Sequence, residues 1–415
     1  MLHLRLNVRI LTETPAAAVL AEMRRAGAAT GGAAVTAVKK RAGAILPEVL
    51  TLTLENLRAA EADCLNRQMG AAGGTAAVLP KTGGGNGETE IVLTGGRREF
   101  ANLVTQLEQS PAEAPALAHE IARAIENHGR RRFRIRLGAY ALEVGPRPAV
   151  MGVLNVTPDS FSDGGRYLDP ARAVARAERL VEEGADLVDV GGESTRPGSD
   201  PVSEEEELAR VLPVVETLSS RLAVPISIDT RHGRVAREAA SAGASLINDV
   251  TGLLGDPDMP AAVAETGAGC VIMHMLGEPK TMQDRPRYDN LMGEIARHLR
   301  RGMQSALDAG VPQDAIIVDP GIGFGKTRAH NLQILARLGQ LRALGAPILV
   351  GPSRKRFIGE VTGVEVPADR VAGTAAACAL AVRAGALLVR VHDVAEAVQA
   401  VAVAAAVRDA DQEDT

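Results

Sequence analysis

From Pro148 onward, short apolar runs alternate with longer stretches in which apolar residues recur every three or four positions. The runs are Val150–Val156, Leu187–Val190, Pro225–Asp229, Leu246–Val250, Cys270–Met275, Ile316–Asp319, Ile348–Val350 and Leu387–Val391. Amphipathic stretches such as Ala171–Glu183, Glu204–Leu218, Leu291–Ala309 and Arg370–Ala384 lie between them. A strand that is apolar at nearly every position has no side suited to water, so the runs predict a parallel sheet covered on both faces. Eight such strands, each followed by a helix, over roughly 250 residues predict an α/β fold, a TIM (β/α)8 barrel. A doubly wound sheet is the alternative, disfavoured because no G-x-G-x-x-G follows the first strand.

Ahead of the barrel the pattern differs. Arg134-Ile135-Arg136-Leu137 and Tyr140–Val144 alternate around Gly138, the signal of a β-hairpin. Residues 1–130 form a small α+β domain in this reading, and residues 131–415 the barrel domain with the hairpin at its start. In the first, helices are predicted over Pro15–Gly27, Ala59–Gly70, Arg97–Gln109 and Pro115–Asn127, with strands over Leu50–Leu54, Thr75–Leu79 and Glu90–Leu93. That order suggests a two-layer sandwich. The loop Gly83–Gly87 reads as a hairpin tip rather than an anion cradle, because no helix start follows it directly. No catalytic constellation is present in this domain.

Composition narrows the function class. Hydrophobic residues at 46% and charged residues at 23% are ordinary for a soluble globular protein. A formal charge of −5 argues against a nucleic-acid binder, which carries a basic patch. Cys64, Cys270 and Cys378 are far apart and outside any C-x-x-C pattern, which argues against a disulfide framework or a zinc site. The first residues lack the continuous apolar core of a signal peptide, and no apolar run is long enough to span a bilayer. A cytoplasmic location is expected.

The polar residues carry the chemistry through their placement. They gather where the apolar runs end: Asn155 after the first, Asp189 through Gly198 after the second, then Asp229, Asn248-Asp249, His274, Asp319, Ser353-Arg354-Lys355 and Arg390-Val391-His392-Asp393. In a barrel these ends meet at one mouth. An acid after a strand is often only the N-cap of the next helix, and Asp249 and Asp393 are read that way. Capping alone does not account for Lys355, Arg390 and His392. Asp229, Asn248 and Asp319 offer acceptors and an amide suited to a flat heterocycle rich in N–H groups. Arg196, Arg390 and His392 offer donors for a diphosphate. Asn155 offers a neutral oxygen suited to Mg²⁺ held mainly by substrate phosphates and water. Gly321 through Thr327 looks like a P-loop, but that motif needs Gly where Pro320 stands. His274, with no second ligand nearby, reads as a packed residue rather than a metal ligand.

Together these segments resemble dihydropteroate synthase. The stretches that carry the likeness are Met151 through Gly165, Asp189 through Gly198, Asp319-Pro320-Gly321 through Gly325-Lys326, Ser353-Arg354-Lys355 and Arg390-Val391-His392-Asp393, in the family's order, over roughly residues 134–408. The resemblance implies a transferase of folate biosynthesis that joins (7,8-dihydropterin-6-yl)methyl diphosphate to 4-aminobenzoate, giving 7,8-dihydropteroate and diphosphate, with Mg²⁺. It implies Asn155 as the Mg²⁺ contact; Thr195, Arg196, Arg390 and His392 on the diphosphate side; and Asp229, Asn248, Asp319 and Lys355 as pterin contacts. Asp229, Lys355, Arg390 and His392 are the expected catalytic set. Phe161, Pro197 and Phe324 would wall the aminobenzoate site, where sulfonamides bind. It further implies a homodimer. Arg356 departs from the pattern, standing where many members have Ser, so the aminobenzoate carboxylate would meet either its guanidinium or only the backbone. The first 130 residues resemble extensions on some longer members. A pterin-binding methyltransferase acting on a corrinoid protein is the rival reading; it would need neither Mg²⁺ nor the Arg390/His392 pair. A non-catalytic barrel is disfavoured because Asn155, Asp229, Lys355 and Arg390 are all present.

Overall fold

The computed structural model describes residues 6–11, 49–80, 88–110, 114–157, 170–194, 202–278 and 280–410. The chain divides into two compact units. One comprises Met1–Arg130 with Asn290–Arg297 and Ala336–Gly345; the other comprises Arg131–Asp289, His298–Leu335 and Ala346–Thr415.

The first unit is built on four antiparallel strands, β1 (Asn7–Ile10), β2 (Val49–Arg58), β3 (Thr75–Pro80) and β4 (Glu88–Gly96), in the order β1-β2-β4-β3. Helices α1 (Ala59–Ala71), α2 (Arg97–Glu108) and α3 (Ala114–Gly129) cover one face. Alternate strand residues (Val8, Ile10, Leu52, Leu54, Ile91, Leu93) share a core with Leu65, Phe100, Leu103, Leu117 and Ile121 from the helices. Period-two side chains meeting period-3.6 side chains give the two layers. Strand β2 runs well past the predicted Leu50–Leu54, through a register shift between Leu54 and Leu57 where Asn56 takes φ 62°. Strand β1 is an addition to the sequence expectation. The predicted helix Pro15–Gly27 and the loop Gly83–Gly87 lie outside the described residues.

The alternate positions on β1 and β2 are polar and also buried: Asn7, Arg9, Thr51, Thr53 and Glu55. Glu55 is the hub. Its carboxylate accepts from Arg9 Nη2 and Arg297 Nη1, both at 2.5 Å, from Asn290 Nδ2 at 2.7 Å and from Asn7 Nδ2 at 3.0 Å. Arg9 donates its other terminal nitrogen to Gln340 Oε1 at 2.7 Å. Burial would raise the Glu55 pKa, but the two guanidinium groups and the amide of Asn7 outweigh it and hold it below the usual range.

The second unit holds eight parallel strands. They are β7 (Ala149–Asn155), β8 (Leu187–Gly191), β9 (Ile226–Asp229), β10 (Leu246–Asp249), β11 (Gly269–Met273), β12 (Ile316–Asp319), β13 (Leu349–Val350) and β14 (Leu388–Val391). Their order is β12-β11-β10-β9-β8-β7-β14-β13, and a parallel bridge between Val318 and Ile348 joins its two ends into a ring. This is the (β/α)8 barrel expected from the apolar runs. The hairpin of β5 (Phe133–Leu137) and β6 (Tyr140–Val144) precedes it. Phe133, Ile135 and Leu137 are buried among Met151, Leu187, Leu246, Val271, Ile317, Leu349 and Leu388, near the N-terminal ends of the strands. The hairpin therefore seals that end, and the opposite end is left for chemistry.

Candidate active site

Strand register brings the polar residues together. Asn155 is the ladder partner of Gly191, Gly191 of Asp229, and Asp229 of Asn248, so these positions lie at one level of the ring. Beneath them Asp189, in the middle of an otherwise apolar strand, is fully buried.

Arg390 on β14 ties this level together. Its Nε donates to Asp189 Oδ2 at 2.5 Å and its Nη2 to Asp229 Oδ2 at 2.6 Å. Asn248 Nδ2 donates to the same Asp189 oxygen at 3.0 Å. One guanidinium thus serves two carboxylates. Burial raises the Asp229 pKa against the pull of Arg390, and nearby Asp189, Glu207 and Asp249 add to the rise, bringing it to about 7. Arg390 itself stays firmly charged: burial opposes the cation, and Asp189 and Asp229 overcome that opposition. The other Asp189 oxygen, Oδ1, is buried with no hydrogen bond, as is Ser227 Oγ.

Asp319 closes β12 and accepts from Gly321 N at 2.6 Å. Burial raises its pKa, opposed chiefly by Lys355. Lys355 precedes the helix Arg356–Thr362. Its Nζ donates to Ile322 O and lies 4.4 Å from the centroid of the Phe324 ring, within cation–π range. Burial lowers its pKa to about 8, with Asp319 and Asp229 opposing and Arg390 assisting. Arg354, just before it, takes φ 59°, an uncommon region for a side chain of this size. Two bonds from its guanidinium to Asp393, at 3.0 and 2.5 Å, hold it there.

His392 follows β14. Its Nδ1 lies 3.0 Å from Ser353 Oγ, and its carbonyl accepts from Arg176 Nη2 at 2.9 Å. Asn155, at the end of β7, is half-buried. Thr195, Arg196, Pro197 and Phe161 lie outside the described residues.

Two capping expectations are corrected. Asp393 sits at the N-cap of Val394–Asp409 but makes no cap bond, because Arg354 takes its carboxylate. Asp249 accepts from Thr251 N at 2.7 Å and Leu253 N at 2.9 Å, so it folds a loop rather than starting a helix. Arg356, itself exposed, pairs with Glu360 one turn along its helix at 2.7 Å.

Asp189, which the sequence reading places among the strand-end residues without a role, is the acceptor shared by Arg390 and Asn248; a carboxylate inside Leu187-Val188-Asp189-Val190 was the available signal. Glu193, Glu207 and His232 also cluster, with ligand atoms within 4.8 Å of one another. Arg231 already holds both Glu193 oxygens, at 3.0 and 3.1 Å, and His232 Nδ1 bonds Glu207 Oε2 at 2.8 Å. That cluster is a braced ion-pair group behind the site.

The model for pterin binding enzymes matches residues 151–392. Dihydropteroate synthase of Escherichia coli is 47% identical over 256 residues, covering 62% of this chain and 90% of its own. A solved structure of Xanthomonas albilineans dihydropteroate synthase with 4-aminobenzoic acid superposes with TM-score 0.62 at 50% identity, covering 66% of this chain and 98% of its own. A probable bifunctional folylpolyglutamate synthase/dihydropteroate synthase of Haloferax volcanii is 41% identical over 358 residues, covering 84% of this chain and 42% of its own. That stretch is longer than the barrel region, so the likeness reaches into the N-terminal region. The strand-end cluster, the closed barrel and these matches agree: the chain belongs to the pterin binding enzymes and, among them, to the dihydropteroate synthases.

Proposed function

We propose that the residues of this chain divide the dihydropteroate synthase reaction as follows. Asp229, Asn248, Asp319 and Lys355 hold the pterin; Arg390 and His392 hold its diphosphate, with Thr195 and Arg196. Phe324, with Phe161 and Pro197, walls the 4-aminobenzoate site. The observation that carries this is Arg390 bridging Asp189 and Asp229. A diphosphate competes for that guanidinium, and the N–H groups of a pterin replace it on Asp229. The C–O bond at the pterin methylene breaks with its electron pair going to the diphosphate, as in an SN1 reaction. The Asp229 carboxylate stabilises the cation left in the ring, and Arg390 and His392 stabilise the departing charge. The arylamine lone pair then forms the C–N bond, and the nitrogen loses its proton to water or diphosphate.

Asn155, half-buried at the end of β7, contributes one neutral oxygen and no charge of its own. A single neutral oxygen fits a Mg²⁺ held chiefly by substrate oxygens and water. When bound, Mg²⁺ offsets charge on the diphosphate.

The buried, unpaired Cys270 and Cys378 suit a reducing compartment such as the cytoplasm, and no described helix is long and apolar enough to cross a membrane. Leu380, Val403 and Val407 leave 59–66% of their surface exposed on the last two helices, an apolar face that suits a homodimer.

Diphosphate release is the test. Release that requires both 4-aminobenzoate and Mg²⁺ is expected; release indifferent to 4-aminobenzoate rejects the assignment.

A further inference from the structure

The loop after β12 is held by its carbonyls, one after another. Ile322 O accepts from Lys355 Nζ, Gly323 O from Gln283 Nε2 at 2.6 Å, Phe324 O from Lys326 Nζ at 2.9 Å, and Gly325 O from the Tyr288 hydroxyl at 2.8 Å. Gly321, Gly323 and Gly325 make that path possible, with φ of 67°, 86° and 62°. A Cβ on Gly321 would stand 1.9 Å from His274 O, and one on Gly325 2.5 Å from Leu276 O. The loop is both unusual in backbone and tightly enclosed.

Lys326 is the one charged donor among the four that the pterin and diphosphate assignments do not use. It is 3% exposed. Besides Phe324 O, its Nζ meets His274 Nδ1 at 2.9 Å and His274 O at 3.3 Å. Three acceptors match the three N–H groups of an ammonium. Accepting through Nδ1 leaves the His274 proton on Nε2. The imidazole is itself fixed, with the His298 ring edge-on at 4.9 Å and Tyr288 at 5.9 Å. Burial pushes the pKa of Lys326 and His274 well down; Lys326 adds to the fall at His274, while at Lys326 itself Asp319 opposes the fall and Lys355 assists it. A buried amine is costly to keep, and this one spends a bond on the carbonyl of the residue whose ring faces Lys355.

We infer that Lys326 is a positioning residue for the 4-aminobenzoate side of the site. By fixing the Phe324 carbonyl it sets where the Phe324 ring stands, and with it the ring's contact with Lys355 Nζ. The inference rests on Phe324 walling the aminobenzoate site.

The test is steady-state diphosphate release by the full chain carrying Lys326→Met, Lys326→Gln, Phe324→Ala, or Lys326→Met with Phe324→Ala. Lys326→Met is expected to raise the KM for 4-aminobenzoate about tenfold or more, while the KM for the pterin diphosphate moves less than about threefold. Such a split marks a change confined to one substrate's binding. Lys326→Gln, which keeps an N–H donor, should raise it less. The double variant should be no worse than Phe324→Ala alone, because residues acting as one unit are not additive.

Equal rises in both KM values, unchanged KM values in folded Lys326→Met, or additive losses in the double variant would overturn the inference. If Phe324→Ala leaves the aminobenzoate KM unchanged, the wall assignment fails and the inference falls with it. If Phe324→Ala raises that KM and Lys326→Met does not, the inference fails alone. Should Lys326→Met not fold, Lys326→Gln and His274→Gln carry the same comparison, and absence of the KM split in both overturns it.

Discussion

Each unit buries a carboxylate against arginine, and the two groups respond in opposite directions. Glu55 in the first unit faces two guanidinium groups, Arg9 and Arg297, plus two amides, and its pKa is held below the ordinary value. Asp229 in the barrel shares a single guanidinium with Asp189 and is pushed up to about 7. Burial is comparable; the balance of partners differs. A cluster with more cationic donors than acids is closed on itself and has no use for a ligand. One with more acids than cations retains acceptor capacity, and that surplus marks a site built to receive N–H groups.

The largest effect that would break this comparison is expected at the closed cluster. Glu55→Ala takes their shared carboxylate from the buried Arg9 and the half-exposed Arg297, and removing one partner of a buried pair costs about 3–5 kcal/mol. Denaturant unfolding measures it, and turnover per folded molecule should not change. A fall in turnover would show that the cluster is not purely structural. Next comes Arg390→Ala, expected to lower kcat/KM for the pterin diphosphate by about 10²–10³-fold, the scale of losing one charge-stabilising donor. A loss under tenfold would mean that His392 and the segment carrying Arg196 hold the diphosphate without it.

The smallest effect sharpens the contrast through pH. An acid whose folded pKa is raised contributes stability that is fully present below its unfolded pKa, near 3.9, and lost as pH climbs through the folded value of about 7. Glu55 works the other way: its contribution is present above the ordinary glutamate range and lost as pH falls through the lowered value. Melting temperatures across pH 4–7 should therefore show a decline that Asp229→Asn removes. An unaltered profile in that variant would place the titration elsewhere.

How legible each region was in the sequence follows from the same physics. Barrel strands are covered on both faces, so they read as unbroken apolar runs, and the polar residues ending them stood out. The sheet of the first unit was harder. Asn7, Arg9, Thr51 and Thr53 alternate with apolar residues as a solvent-facing side would, yet they are buried. Alternation cannot distinguish a polar residue facing water from one facing a buried partner far along the chain, such as Gln340. Within the site, Asp229, Asn248, Asp319, Lys355, Arg390 and His392 were legible because they stand at, next to or just beyond the ends of strands. Asp189 stood among these polar positions but its role could not be read, because that role depends on Arg390 arriving from the far end of the chain. Lys326 was obscured by the glycines beside it, which suggested a phosphate loop.

The hairpin of β5 and β6 has a consequence for traffic. With Phe133, Ile135 and Leu137 filling the floor, the barrel keeps one doorway. Whatever enters to be joined, and whatever is made or released, passes the same rim. A molecule lodged at that rim shuts in everything beneath it, so occupancy at the top governs exchange at the bottom.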